Sequence, residues 1–241
     1  MRPRVMLRRL ARKVRRYWRV QRRRARWERR WEVESKRPDS DLSTEVPREL
    51  VEAVQSGWFA PPASVMDIGS GRGQISAWLA ERGFHVLAAD FSHQATKLAQ
   101  LHFQHLRDRL EFQTLDICAH RPDRPRFDAL IDRGCFHSIP RAMQARYASN
   151  VAAWAREGAR FLLLSKAEDT EARLIEEVRQ LFEPYFELTR TQPTVVTRAT
   201  GPIPRIQKPG VAFWMVRRSS DPTELRDRGS PSGRRYPPGR A

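Results

Sequence analysis

From Ser64 onward, short apolar runs alternate with longer segments whose apolar residues return every three or four positions. Val65–Ile68, His85–Ala89, Leu110–Leu115, Phe127–Ile131 and Arg160–Leu164 read as strands. Strands of this kind in alternation with helices indicate a parallel sheet covered on both faces. The intervening segments predict helices over Gly73–Arg82, His93–Leu106, Pro140–Glu157 and Thr170–Phe182. Tyr185–Thr191 and Val211–Val216 are expected as the final strands. The alternation of strand and helix predicts an α/β domain over residues 47–218.

The flanks follow other patterns. Val5, Leu7, Leu10, Val14, Tyr17 and Trp18 recur at near-helical spacing, and Trp27 and Trp31 are four apart. Residues 1–34 therefore read as a basic amphipathic helix. Residues 35–46 read as a linker, and Pro47 suits the start of a short helix through Val54. Residues 200–210 carry three prolines and two glycines and are expected to be irregular. Residues 219–241 are rich in Pro, Gly, Ser and Arg, and are expected to be disordered.

Charge sharpens this division. The chain of 241 residues has a formal net charge of +17. Residues 1–32 alone hold 15 Lys and Arg against Glu28 and Glu32. The basic character thus belongs to the arm, and inferences from it concern the arm's partners. An anionic membrane surface, a nucleic acid and docking onto the chain's own domain all fit a basic amphipathic helix. The two cysteines, Cys118 and Cys135, form no CxxC pattern, so no metal site or disulfide framework is suggested. No apolar stretch is long enough for a membrane span. The expected setting is cytoplasmic, with peripheral membrane attachment through the arm as a further reading.

Val65–Ser76, VMDIGSGRGQIS, carries the chemistry. A buried strand ends near Asp67, glycines alternate at 69, 71 and 73, and a helix follows. Glycine backbone admits a ligand without Cβ collision, and the helix start offers free N–H groups. The second strand closes at Asp90, about twenty residues on, where a carboxylate can accept from two ribose hydroxyls. The third ends at Asp116, where an adenine amino group could donate. Either acid alone suits a solvated strand end; both after a Gly-rich loop point to a nucleoside ligand.

With these motifs, roughly residues 45–217 resemble the class I S-adenosylmethionine-dependent methyltransferases. The resemblance implies a Rossmann-like three-layer sandwich with a mostly parallel seven-stranded sheet and an antiparallel last strand. It implies S-adenosylmethionine as cofactor, approached by Gly69, Ser70 and Gly71, with Asp67 at the mouth of the loop. It implies that Asp90 binds the ribose, that Phe91 packs on the adenine, and that Asp116 and Ile117 meet its edge. FDALIDRGCFHSIP, Phe127–Pro140, is similar to the branch holding thiopurine and tellurite-resistance methyltransferases, which act on small molecules.

Asp132, ending the fourth strand, is the first candidate for an active-site contact. His137 is the candidate general base by its ordinary pKa, with a structural role in the following turn as the alternative. Cys135 reads as a packing residue, and Arg133 as an anion-orienting or surface group. The expected function is in-line methyl transfer to a small-molecule nucleophile. An RNA methyltransferase that seizes its substrate with the arm, and a non-catalytic cofactor-binding adaptor, are the alternatives.

Overall fold

A computed structural model describes residues 21, 22, 24–33, 46–123, 126–200 and 203–219, and the side chains of all of these except 197–200 and 203–206. The expectations for residues 1–20, for the linker at 35–45 and for the tail from 220 lie outside the described residues.

The elements follow one another as helix α1 (residues 21–22 and 24–33), α2 (Arg48–Gln55), β1 (Ser64–Ile68), α3 (Gln74–Ala80), β2 (His85–Asp90), α4 (His93–His102), β3 (Leu110–Thr114), β4 (Phe127–Arg133), α5 (Arg141–Trp154), β5 (Ala155–Lys166), α6 (Glu171–Phe182), β6 (Phe186–Thr200) and β7 (Ile203–Arg217). The strands form one seven-stranded sheet in the order β3-β2-β1-β4-β5-β7-β6. Strands β3, β2, β1, β4 and β5 run parallel, and β7 is antiparallel to both β5 and β6.

Successive side chains of a strand point to opposite faces, and here both faces are apolar. Met66, Ile68, Leu130, Phe161 and Leu163 face one core, filled from outside by Tyr147 and Val151 of α5 and Val178 and Phe182 of α6. Val65, Ala129, Ile131, Leu162 and Leu164 face the other, closed by Leu50 and Ala53 of α2 and Ala77, Leu79 and Ala80 of α3. This double burial is why these strands lack a polar alternation.

Two expectations are corrected. Helix α5 stops at Trp154, and Ala155 already pairs with Phe127 across a register shift in the β4–β5 ladder. More substantially, residues 203–210 are strand, not irregular loop. The β6–β7 hairpin continues past the end of β5, pairing Val195 with Pro209 and Thr197 with Gln207. Proline is tolerated there because a two-stranded ribbon leaves half of its backbone groups without a ladder partner. Pro209 itself serves the sheet through its carbonyl, which accepts from Ala167 N at 2.9 Å. Among the described residues, no helix is long and apolar enough to cross a membrane.

Candidate functional site

The turn leaving β1 is clasped to the end of β2. Gly69 N and Ser70 N both donate to Ala89 O, at 2.7 and 3.0 Å. Gly71 N donates to Asp90 Oδ2 at 3.0 Å, and Ser92 N to Asp90 Oδ1 at 2.8 Å. One carboxylate therefore ties the glycine turn to the entrance of α4. Gly69 has a φ of +76°, and a Cβ there would stand 2.5 Å from Cys135 Cβ. Glycine is needed at that point for conformation and for clearance alike. Ser70 Oγ is buried and has no hydrogen-bond partner among the described residues.

Parallel order brings four strand ends to one edge of the sheet. Leu115 N donates to Asp90 O at 2.7 Å, so the turn after β3 sits against the end of β2. Asp116 organises that turn: its Oδ1 accepts from Cys118 N at 2.9 Å, and its carbonyl accepts from Ala119 N and His120 N. The Ile117 side chain is buried in the core, and its carbonyl is held by Asn150 Nδ2 at 2.7 Å. Phe91 is half-buried, and the Arg24 guanidinium lies 5.4 Å from its ring centre.

Three carboxyls along this edge depart from ordinary values. Burial pushes Asp67 up to about 7, against a hydrogen bond from Ser76 Oγ at 2.6 Å, and the charge of Asp90 adds to the rise. Burial raises Asp90 as well, against the donors Ser92 N and Gly71 N. Asp132 is pushed up to about 7 by burial, opposed by its hydrogen bonds and reinforced by Asp67.

Asp132 is completely buried. Its carboxylate accepts from Cys135 N at 2.7 Å, Phe136 N at 3.0 Å and Tyr147 Oη at 2.5 Å. These contacts fix the turn that follows β4. In this structure the Asp132 carboxylate is thus engaged by that turn and by α5. His137 stands in the 3-10 turn Phe136–Ser138, half-buried beside Gly134, with Nδ1 3.5 Å from Lys166 N. Cys135 packs on Gly69, as its proximity to that Cα requires.

The structure thus brings together Gly69, Ser70, Gly71, Asp90 and Phe91, with Asp116 and Ile117 on the adjoining strand end. Sequence reasoning missed four residues in or beside the site: Glu28, Trp31, Tyr147 and Asn150. The first two were readable only as part of a charged helix. The other two lie three apart on α5, a spacing that sets both on its inward face.

Residues 65–158 match a family model described as a methyltransferase domain. By sequence, the chain is similar to EEF1A lysine methyltransferase 2 of Danio rerio, 29% identical over 140 residues, covering 55% of this chain and 58% of that protein. The chain thus spans somewhat more than half the length of this relative. By structure it is similar to the 1,6-didemethyltoxoflavin-N1-methyltransferase of Burkholderia thailandensis, solved with 1,6-didemethyltoxoflavin and S-adenosylhomocysteine, at a TM-score of 0.63 and 22% identity over 84% of this chain and 89% of that one. It is also similar to TehB of Haemophilus influenzae, at a TM-score of 0.60 and 16% identity over 73% of this chain and 64% of that one.

Proposed function

We propose that this chain, which carries a methyltransferase domain, transfers the methyl group of S-adenosylmethionine to a small-molecule nucleophile. S-adenosylmethionine is the cofactor of this domain, and it supplies a methyl group already activated by a sulfonium charge. The residues present fit it. Gly69 and Gly71 hold the turn at positive φ, Ser70 Oγ is a buried donor with no partner among the described residues, and Asp90 closes the neighbouring strand. The observation that carries the reading is the Gly71 N to Asp90 Oδ2 bond at 3.0 Å. It joins the glycine turn and the ribose-type carboxylate into one unit.

In this reading Asp90 holds two ribose hydroxyls, Phe91 covers the adenine, and the turn at Asp116–Ile117 meets its edge. Asp67 lies beneath the glycine turn and shapes it through Ser76. Asp132 is a positioning residue: it holds the backbone of Cys135 and Phe136, and so sets where His137 stands. His137 lines the acceptor side and is the candidate to take a proton from an oxygen or nitrogen nucleophile. The chain's main contribution is alignment of donor and acceptor, the larger part of the acceleration in a reaction of this kind. Cover of most of this chain by the toxoflavin-methylating enzyme supports a small heterocyclic or comparable acceptor.

The sequence similarity to a lysine methyltransferase supports a second reading, in which the acceptor is a protein amine. Labelled methyl transfer into a small-molecule extract and, separately, into the extract's protein fraction tells the two apart. The cofactor assignment is tested by calorimetry with S-adenosylhomocysteine. Asp90→Ala is expected to weaken binding by about tenfold or more, the scale of a lost charge-assisted hydrogen bond pair. An unchanged affinity contradicts the assignment.

A further inference from the structure

Helix α1 belongs to the basic arm, yet it is seated on the cofactor loop. Glu28 Oε2 accepts from Ser92 Oγ at 2.7 Å and from Gln94 N at 3.0 Å, and Oε1 accepts from His93 N at 2.8 Å. The carboxylate therefore satisfies the free N–H groups that open α4, two residues beyond Asp90. Burial opposes the charge on Glu28, but these hydrogen bonds and Arg24 nearby hold its pKa below the ordinary value. One turn on, Trp31 is only 9% exposed, and its Cη2 and Cζ2 lie 3.0 and 3.1 Å from where a Cβ of Gly71 would stand. One turn back, Arg24 lies over Phe91.

Positions 24, 28 and 31 share one helix face, so a single face meets the adenine side and the glycine turn together. Trp31 Nε1 and Ser70 Oγ are buried and have no hydrogen-bond partner among the described residues. A buried donor left unpaired is costly. Both belong to residues next to Gly71, so a polar ligand at the glycine turn is a group that could satisfy them.

We infer that α1 is the outer wall of the cofactor site, with Trp31 touching the bound cofactor and Glu28 acting as the positioning residue that holds the wall in place. The inference rests on the cofactor reading above. It makes docking of the arm and cofactor binding one linked equilibrium, each strengthening the other.

The test uses the full chain and S-adenosylhomocysteine. Trp31→Ala and Glu28→Gln are each expected to weaken binding by about tenfold, while Trp31→Phe, which keeps a flat apolar ring, stays within about threefold of the parent. Melting temperatures without ligand should move little, because α1 lies outside both cores. Amide exchange across residues 24–33 should slow when the ligand is added to the parent chain and not to Glu28→Gln. If the parent chain binds no S-adenosylhomocysteine, the cofactor reading itself falls, and this inference with it. If the parent binds and Trp31→Ala binds equally well or more tightly, the cofactor reading stands and the wall is refuted.

Discussion

Asp67 and Asp132 are buried carboxyls whose values rise to about 7. In the unfolded chain such groups ionise near ~3.9. Between roughly pH 4 and 7 the folded state therefore holds protons that the unfolded state has lost. Their stabilising contribution is complete below the unfolded value and is lost as pH rises through about 7. Denaturant midpoints should fall from pH 4.5 to 7.5 and then level. Asp67→Asn, neutral throughout and still able to accept from Ser76, should flatten that decline. Equal slopes for parent and variant would remove Asp67 from the account. The sequence disclosed the position of these acids but not their state. Asp90 and Gly71 are nineteen residues apart, and the strand–turn–helix pattern was enough to bring them together. The commitment of Asp132 to Tyr147 was not visible, because it depends on which face of α5 turns inward.

At the scale of elements, α5 is a brace. Tyr147 reaches the turn after β4, and Asn150 reaches the turn after β3. One helix thus fixes the turns on both flanks of the glycine loop. Asn150→Leu keeps the bulk but leaves the buried Ile117 carbonyl without its donor, at a cost of about 1–3 kcal/mol in unfolding free energy. Equilibrium denaturation measures that loss, and affinity for S-adenosylhomocysteine should fall with it, since the Asp116–Ile117 turn is loosened. Stability within ~0.5 kcal/mol of the parent would show that the carbonyl finds another donor. The strands of the parallel sheet were legible because short apolar runs alternate with helical ones, and the central strands β1, β4 and β5 are apolar on both faces. The last two strands were legible over Tyr185–Thr191 and Val211–Val216, but not the continuation of the β6–β7 ribbon between them, since Pro209 and Gly210 carry a loop signature. Pro209 lies just past the last β5 pair, Lys166 with Gly210, where a two-stranded ribbon tolerates it. Helix α1 was foreseen as an element, but not its seat, because Glu28 finds its partners more than sixty residues away.

Over the whole molecule, charge and site are arranged on opposite faces of the same helix. Arg24, Glu28 and Trp31 look inward, whereas Arg22, Arg26 and Arg29 are exposed and follow one another at helical spacing. They continue the excess of positive charge concentrated in residues 1–32. An outward stripe of this kind suits a polyanionic partner, whether lipid headgroups or nucleic-acid phosphates, and such contacts weaken steeply as salt rises. Replacing Arg22, Arg26 and Arg29 together with Gln should therefore bring the protein off a heparin column at clearly lower salt. The log–log salt slope of polyanion binding should become shallower by up to about 3, near one unit per lost phosphate-type contact. Affinity for S-adenosylhomocysteine should stay within about twofold of the parent, because none of the three arginines is on the docked face. Retention that does not change would remove these three arginines from any polyanion contact. A joint fall in retention and cofactor affinity would mean that the two faces of α1 do not act independently, and that an anionic partner on the outside is felt at Gly71 within.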